Sequence, residues 1–249
     1  MTSIWPLVLG GAVVGLLYGL FGVGSAFATP VLSLLGVPAM AAVVGPLPAL
    51  LPGSAAGAWS YARGGRVDHR LARTTLLAAI PAAVLGALST SVIGGSALLV
   101  LSGTVLLLVG LRVVRPGRAA LANASAIRHN NAVVLSCAAV VGFSSGLLAN
   151  GGGFLLVPLF LVAMGLDMNE ASGTSLVVAV GLTIPTLVTH IWIGDIDWLV
   201  SAAFAVGLVP AAFVGARLAQ QIDASRLRRA FGMLLIGFAL SFLVRQFLG

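Results

Sequence analysis

The sequence contains no lysine, a single cysteine and few charged residues of either sign. Charged residues make up 8% of the 249 residues, whereas about 25% is typical of a soluble globular domain. Without lysine, the chain has neither a P-loop phosphate lysine nor a Schiff-base lysine. ATP hydrolysis within this chain is therefore not expected. The single cysteine, Cys137, excludes a disulfide or a cysteine metal cluster within one chain, and we expect it to pack in its apolar run.

The chain is rich in apolar residues, which make up 59% of it and give a mean hydropathy of +1.13. This composition is typical of a polytopic membrane protein. The net charge of +7 comes from arginines that lie in short breaks between apolar runs, and no basic face for nucleic acid emerges. We interpret these arginines as topology signals. The N-terminus has no basic region before its apolar run, so we expect that run to be a retained transmembrane segment.

The apolar runs predict an all-α integral membrane protein, at about 20 residues per span. In the first half the predicted segments are Ile4–Phe21, Phe27–Gly36, Ala39–Tyr61, Leu71–Val92 and Ala97–Val114. In the second half they are Ala132–Ala149, Phe154–Leu166, Ala171–Ile193, Trp198–Ala219 and Leu227–Leu248. The second segment of each half is too short to cross a bilayer unaided. Each half therefore carries a short helix interrupted by glycine and proline.

The two halves form an internal repeat, because glycines, prolines and an aspartate recur in the same order. The matching pairs are Gly15 and Gly142, Gly19 and Gly146, Gly24 and Gly152, Pro30 and Pro158, Gly45 and Gly173, Gly65 and Gly194, Asp68 and Asp197, Pro81 and Pro210, Gly86 and Gly215, and Gly103 and Gly232. We interpret this order as a duplication. It divides the chain into a first membrane repeat at 1–114, a basic cytoplasmic linker at 115–131 and a second membrane repeat at 132–249.

The arginines indicate that the two repeats are inverted. The loop after the third segment of the first half is basic, from Arg63 to Arg73, whereas its counterpart carries Asp195 and Asp197. The next loop reverses this bias, because Thr90–Ser96 is uncharged and its counterpart contains Arg217, Arg226, Arg228 and Arg229. By the positive-inside rule, equivalent loops then lie on opposite sides of the membrane. About five helical elements in each half satisfy that requirement.

The two glycine-rich breaks are the candidate binding site. Inverted repeats with matching Gly-interrupted segments point to a transporter site near the midplane. A helix that restarts after a break leaves N–H groups free, and these groups and the helix dipole favour an anion. The candidate substrate-binding residues are Gly22, Gly24 and Ser25 in the first break, Asn150, Gly151, Gly152 and Gly153 in the second, and Thr174 and Ser175 as hydroxyl donors at the opening of the next helix.

No apolar run has an aspartate or glutamate in its middle, which favours an oxyanion over a cation as the ligand. We expect no metal, no cofactor and no catalysis, since no nucleophile and base pair emerges. Gly15 and Gly19 have an alternative interpretation, which is tight helix packing. His190 and Asp195 are candidates for gating or proton coupling, although the histidine also fits an interfacial position beside Trp192 and Trp198.

The motifs around the breaks resemble the TauE/SafE sulfite exporter family, also called the toluene-sulfonate uptake permeases. The resemblance rests on Gly15 to Pro30, on Gly142 to Pro158, and on Gly173-Thr174-Ser175. It implies a multi-pass transporter of the bacterial inner membrane that carries sulfite, sulfoacetate or sulfonates. The first break, Gly22-Val23-Gly24-Ser25, has fewer glycines than is common in the family, and we therefore expect the second half to dominate binding.

The sequence thus predicts a secondary transporter that moves a small oxyanion by alternating access. An anion channel and a non-transporting membrane assembly protein are the alternatives. The expected partners are the small anion and the lipid bilayer. Direction, coupling ion and oligomeric state stay open at this level, as does whether the short segments cross fully or are re-entrant.

Inversion of the repeats is testable by thiol labelling. In a Cys137→Ser background, Arg66→Cys and Asp195→Cys are expected to react with a membrane-impermeant thiol reagent from opposite sides of the membrane. Each variant is labelled in intact and in permeabilised spheroplasts. Labelling of both cysteines from the same side would contradict the inverted repeat.

Overall fold

A computed structural model describes residues 4–93, 104, 111, 130–148, 153–194 and 196–248 of the chain. The regular elements in these ranges are all helical. The first half contains α1 (Ile4–Phe21), α2 (Ser25–Leu34), α3 (Ala39–Val44), α4 (Leu47–Arg63) and α5 (His69–Ile93). The second half contains α6 (Asn131–Leu147), α7 (Gly153–Pro158) with a π-helical turn at Leu159–Ala163, α8 (Met168–Ile193), α9 (Trp198–Ala219) and α10 (Ala224–Leu248).

These helices agree with most of the predicted segments. In the described ranges, five helices are long and apolar enough to cross a membrane: α1, the combined span Ala39–Arg63, the first 21 residues of α5, α8 and α9. The predicted span Ala39–Tyr61 is divided, because Gly45 and Pro46 separate α3 from α4. The predicted segment Ala97–Val114 and the linker lie outside the described residues, apart from residues 104, 111, 130 and 131.

The short segments occur where the sequence predicts them. The helix α2 has 10 residues and follows a turn in which Gly22 adopts a φ of 71°. In the second half, α7 has six residues and changes to a π-helical turn directly after Pro158. Proline has no N–H to donate and its ring crowds the preceding turn, so a local change of helical geometry is expected there. At about 1.5 Å per residue, neither helix spans the hydrocarbon core alone.

The helix α1 packs along α9 at a distance that only glycine permits. A Cβ atom added to Gly11, Gly15 or Gly19 would overlap the carbonyl oxygen of Phe204, Leu208 or Ala212, respectively. These pairs advance together along both helices, so α1 and α9 run parallel. In a bilayer the hydrophobic effect does not drive helices together, and van der Waals packing between closely spaced backbones stabilises their association instead. Of the two interpretations of Gly15 and Gly19, the structure therefore supports helix packing.

The pairing of α6 with α5 repeats this arrangement in the equivalent residues. A Cβ atom on Gly142 would overlap the carbonyl oxygen of Ala79, and one on Gly146 would overlap that of Ala83. Under the repeat, these two contacts correspond to those of Gly15 with Leu208 and of Gly19 with Ala212. The first helix of each half therefore packs against a late helix of the other half.

The ends of α4 and α9 lie together. The Gln220 side chain, at the end of α9, donates a hydrogen bond of 3.1 Å to the Ser60 hydroxyl of α4. Gly53 of α4 packs on Leu208 of α9, so these helices also run parallel. Arg63 and Arg217 consequently lie at the same end of the helical bundle, which we call the arginine end. Asp197 begins α9 at the opposite end.

The glycine contacts between α5 and α6, which we call the α5–α6 seam, are expected to be sensitive to a single added methyl group. Gly146→Ala is expected to lower the free energy of unfolding by about 1 to 3 kcal/mol, because the methyl group must displace the Ala83 carbonyl. Gly237→Ala in α10 is the matched control, because an added Cβ atom there has no neighbour within 4 Å. Thermal unfolding in detergent measures both variants. Equal melting temperatures for the two variants would show that the seam does not need glycine.

Candidate functional site

The first break leaves the last carbonyls of α1 without partners inside the helix. Side chains from two other helices supply donors. The Tyr61 hydroxyl of α4 lies 3.0 Å from the Gly19 carbonyl oxygen and 3.3 Å from that of Leu20. The Ser175 hydroxyl of α8 lies 3.4 Å from the Gly22 carbonyl oxygen and donates more closely, at 2.9 Å, to the Ser172 carbonyl. Protein hydroxyls therefore lie against the carbonyl groups of Gly19, Leu20 and Gly22 at this break.

The structure brings Gly22 and Ser175 together, as the sequence-predicted site requires. A Cβ atom on Gly22 would lie 2.6 Å from the Ser175 hydroxyl oxygen and 2.9 Å from the Ser172 Cα atom. Both this crowding and the positive φ at Gly22 favour glycine. Ser175 is fully buried. Its position links the first break to the third helix of the second half.

The expectation that Thr174 and Ser175 open their helix is wrong. The helix α8 begins at Met168, where the Asp167 carboxylate accepts a hydrogen bond from the Glu170 N–H. This cap moves the start of the helix ahead of the predicted Ala171. Thr174 therefore lies in the second turn, and its hydroxyl oxygen accepts a 2.9 Å hydrogen bond from the Asp68 N–H. The Thr174 hydroxyl ties α8 to the loop between α4 and α5.

Tyrosine is the residue type that sequence reasoning missed at this site. The chain has two tyrosines, Tyr18 and Tyr61, and both are completely buried at the first break. The Tyr18 ring packs directly on Gly24, where an added Cβ atom would overlap it. Position along the chain gave no signal, because Tyr61 is the last residue of its apolar run and Tyr18 lies three residues from the end of its own, which are places where an interfacial tyrosine is also expected.

The second break is only partly described. Asn150, Gly151 and Gly152 lie outside the described residues, and Gly153 begins α7. In the first break Ser25 begins α2, and the N-cap residue, Gly24, has no side chain with which to cap it. The helices α2 and α7 pack against each other. The two elements that follow the breaks thus meet inside the bundle.

His190 is fully buried near the end of α8. Its side chain therefore faces the interior of the bundle, and both the gating and the interfacial interpretation stay predictions. Trp192 and Trp198 are exposed, at 90% and 57%. Asp195, its proposed partner in gating, lies outside the described residues.

The equivalent aspartates of the two repeats both cap helices. The Asp68 carboxylate accepts a hydrogen bond from the Leu71 N–H at the start of α5. The Asp197 carboxylate accepts hydrogen bonds from the N–H groups of Leu199 and Val200 at the start of α9. Both aspartates thus satisfy N–H groups in the first turn of the following helix.

The helix α10 contacts the end of α1 through an aromatic pair. The Phe21 ring, at the end of α1, stacks on the Phe231 ring of α10 with 5.4 Å between the ring centroids. Arg228 lies one turn before Phe231 on the same helix face. One of its guanidinium nitrogens, Nη2, is buried and has no hydrogen-bond partner among the described residues.

Comparison with known proteins assigns the family. A family model described as Sulfite exporter TauE/SafE matches residues 7–242. The chain belongs to the TauE/SafE family. It is also similar to a protein of Xylella fastidiosa (strain 9a5c) named "Probable membrane transporter protein", with 35% identity over 104 residues, which cover 41% of this chain and 40% of that protein.

A second relative in the same group comes from Bacillus subtilis (strain 168). It is named "Probable membrane transporter protein YunE" and is 32% identical over 95 residues, which cover 38% of this chain and 33% of that protein. The matched region thus spans less than half the length of each relative. The family and the apolar helices together identify a multi-pass membrane protein of a transporter family.

The hydrogen bond between Thr174 and Asp68 is expected to stabilise the fold. Thr174→Val removes the acceptor of the Asp68 N–H and is expected to lower the free energy of unfolding by about 1 to 3 kcal/mol. Thr189→Val is the matched control, because its hydroxyl bonds only to the Pro185 carbonyl of its own helix. Thermal unfolding of both variants in detergent measures the difference. An equal effect would show that the link to Asp68 contributes nothing.

Proposed function

We propose that this protein is a secondary transporter that moves a small sulfur-containing or organic oxyanion, of the sulfite, sulfoacetate or sulfonate class, across the inner membrane by alternating access. The family description names a sulfite exporter, and two relatives are named as probable membrane transporters. Membership of this family also argues against an enzyme. The specific ligand class rests on the chemistry of the breaks.

The first break carries the proposal because its two sides differ. The carbonyl groups of Gly19, Leu20 and Gly22 meet the hydroxyls of Tyr61 and Ser175, whereas the helix that restarts after the break has a glycine at its N-cap, which cannot cap it. The groups that remain for a ligand are therefore N–H donors at a positive helix end. Such an end binds carboxylate, sulfite or sulfonate oxygens and disfavours cations.

The two glycine seams support the inverted-repeat part of this proposal. Each seam joins the first helix of one half to a late helix of the other, and equivalent residues form both. Such symmetry is what two inverted repeats of about five helical elements, at 1–114 and 132–249 around a cytoplasmic linker at 115–131, are expected to produce. In this proposal one repeat rocks against the other around the two breaks.

The residues proposed to bind the substrate are those of the two breaks. Gly24 and Ser25 contribute backbone N–H groups from one side, where Gly22 permits close approach of the backbone while its own N–H donates to the Tyr18 carbonyl. Asn150 to Gly153 contribute backbone groups and an amide from the other side. Ser175 acts mainly by holding the first break in place, and Thr174 by holding the loop between α4 and α5, since the structure engages both hydroxyls within the protein. His190 and Asp195 are proposed as the gate or proton-coupling pair.

A flux assay tests this proposal. Purified protein in liposomes is expected to take up sulfite, thiosulfate or sulfoacetate with saturation, measured with and without a pH gradient. Asn150→Ala is expected to lower the flux by about tenfold or more, since an amide hydrogen bond to a charged ligand contributes about 1.5 to 3 kcal/mol.

Asn130→Ala is the matched control, because Asn130 caps the start of α6 by accepting hydrogen bonds from Ala132 and Val133. It is expected to cost about 1 kcal/mol of stability and to leave the flux of folded protein unchanged. If none of these anions is transported, the substrate hypothesis is wrong. Non-saturating conductance would identify a channel, and unchanged flux with Asn150→Ala would remove the second break from the site.

A further inference from the structure

A cavity of about 350 Å³ opens at the arginine end, between the end of α4 and the end of α9. Its walls come from both halves of the chain. The lining residues are Ser60, Arg63, Gly64, Phe213, Arg217, Gln220 and Gln221. None of them belongs to the breaks, so this cavity shares no residue with the transport site proposed above.

Two guanidinium groups are held beside this cavity by aromatic rings of their own helices. The Arg63 guanidinium lies 4.9 Å from the centroid of the Trp59 ring, and the Arg217 guanidinium lies 4.3 Å from that of the Phe213 ring. Each pair has the i, i+4 spacing that places two side chains on one helix face. Cation–π stacking restrains an arginine without neutralising it. The two positive charges therefore remain available at the cavity.

Neither of these arginines has a carboxylate partner in the described part of the chain. The ion pair found there within 4.0 Å joins Arg66 to Asp167. Asp223 is the acidic residue closest in sequence to Arg217, but its carboxylate accepts hydrogen bonds from the Ser225 hydroxyl and from the N–H groups of Ser225 and Arg226. These hydrogen bonds lower the pKa of the Asp223 carboxyl, and the bond from the Ser225 hydroxyl has the largest effect. They direct the carboxylate to the start of α10.

The side-chain amide of Gln220 forms the wall of the cavity between the two arginines, and hydrogen bonds hold it in place. The Gln220 side-chain nitrogen donates to the Ser60 hydroxyl oxygen at 3.1 Å and to the Ala216 carbonyl at 2.9 Å. Both amide protons are thereby used, and the Ser60 hydroxyl keeps its own proton to donate. Gly64 makes this geometry possible, because a Cβ atom there would overlap the Gln220 amide oxygen. The cavity thus combines two charged donors with an oriented hydroxyl.

We propose that this cavity binds a tetrahedral oxyanion group, a phosphate or a sulfonate, between Arg63 and Arg217 with the Ser60 hydroxyl as a third donor. Arginine forks match the oxygens of such groups. Arginines near helix C-termini also complement the helix dipole, but that role does not require two of them to line one cavity. The group comes either from the headgroup of an anionic lipid or from a soluble anion.

Ligand-induced thermal stabilisation tests this inference on the full chain, because a ligand that binds only the folded state raises the unfolding temperature. One arm titrates inorganic phosphate and sulfate against protein in phosphatidylcholine nanodiscs, with chloride keeping the ionic strength constant. The other arm replaces part of the phosphatidylcholine with phosphatidylglycerol. Stabilisation in the first arm identifies a soluble anion, and stabilisation in the second identifies a lipid headgroup; both support the inference.

The variants Arg63→Gln and Arg217→Gln are each expected to weaken the apparent affinity by about tenfold or more. Arg70→Gln is the matched control, because Arg70 is exposed at the same end and does not line the cavity. Its affinity is expected to stay within about twofold of the unmodified protein, a change too small to indicate a lost contact. Arg217→Lys keeps the charge and is expected to retain an intermediate affinity, which serves the test if Arg217→Gln does not fold.

Two results would overturn the inference. The first is the absence of stabilisation by phosphate, sulfate and phosphatidylglycerol alike. The second is an equal loss of affinity in Arg70→Gln and in the two cavity variants. Such a result would mean that the affinity depends on the overall surface charge and not on the cavity. The assay measures thermal stabilisation and not transport, so its result can be interpreted even if the proposed transport function is wrong.

Discussion

The constraint on which this structure depends is the need to satisfy backbone groups wherever a helix breaks inside a membrane protein. Ser175 of α8 reaches the Gly22 carbonyl, and Ser201 of α9 donates a 2.6 Å hydrogen bond to the Gly45 carbonyl at the junction of α3 and α4. Both serines belong to the second half, and both carbonyls belong to the first. Irregular backbone in the first half of the chain is therefore stabilised by hydroxyls of the second half.

Much of the fold was predictable because the bilayer imposes a simple length and composition rule. The bounds of α1 and α9 agree with the apolar runs, and Asp197 caps α9. The division of Ala39–Tyr61 at Gly45 was not predicted, since apolar composition continues across it. The start of α8 was placed too late, because the Asp167 cap was not recognised as the beginning of a helix.

The site was predicted less completely than the fold. The contact between Gly22 and Ser175 joins residues 153 positions apart, and both had been selected as candidates. Periodicity and composition do not show which partner a hydroxyl will find, so Thr174 was assigned to a ligand although it binds the Asp68 N–H. The role of Tyr61 depends on the packing of α4 against α1, which only the three-dimensional structure reveals.

Each half of the chain depends on the other for the cover of its first helix. One half alone would expose the glycine face of that helix and would lack the helix that packs on it. The glycine faces of α1 and α6 are therefore buried only when both halves fold together.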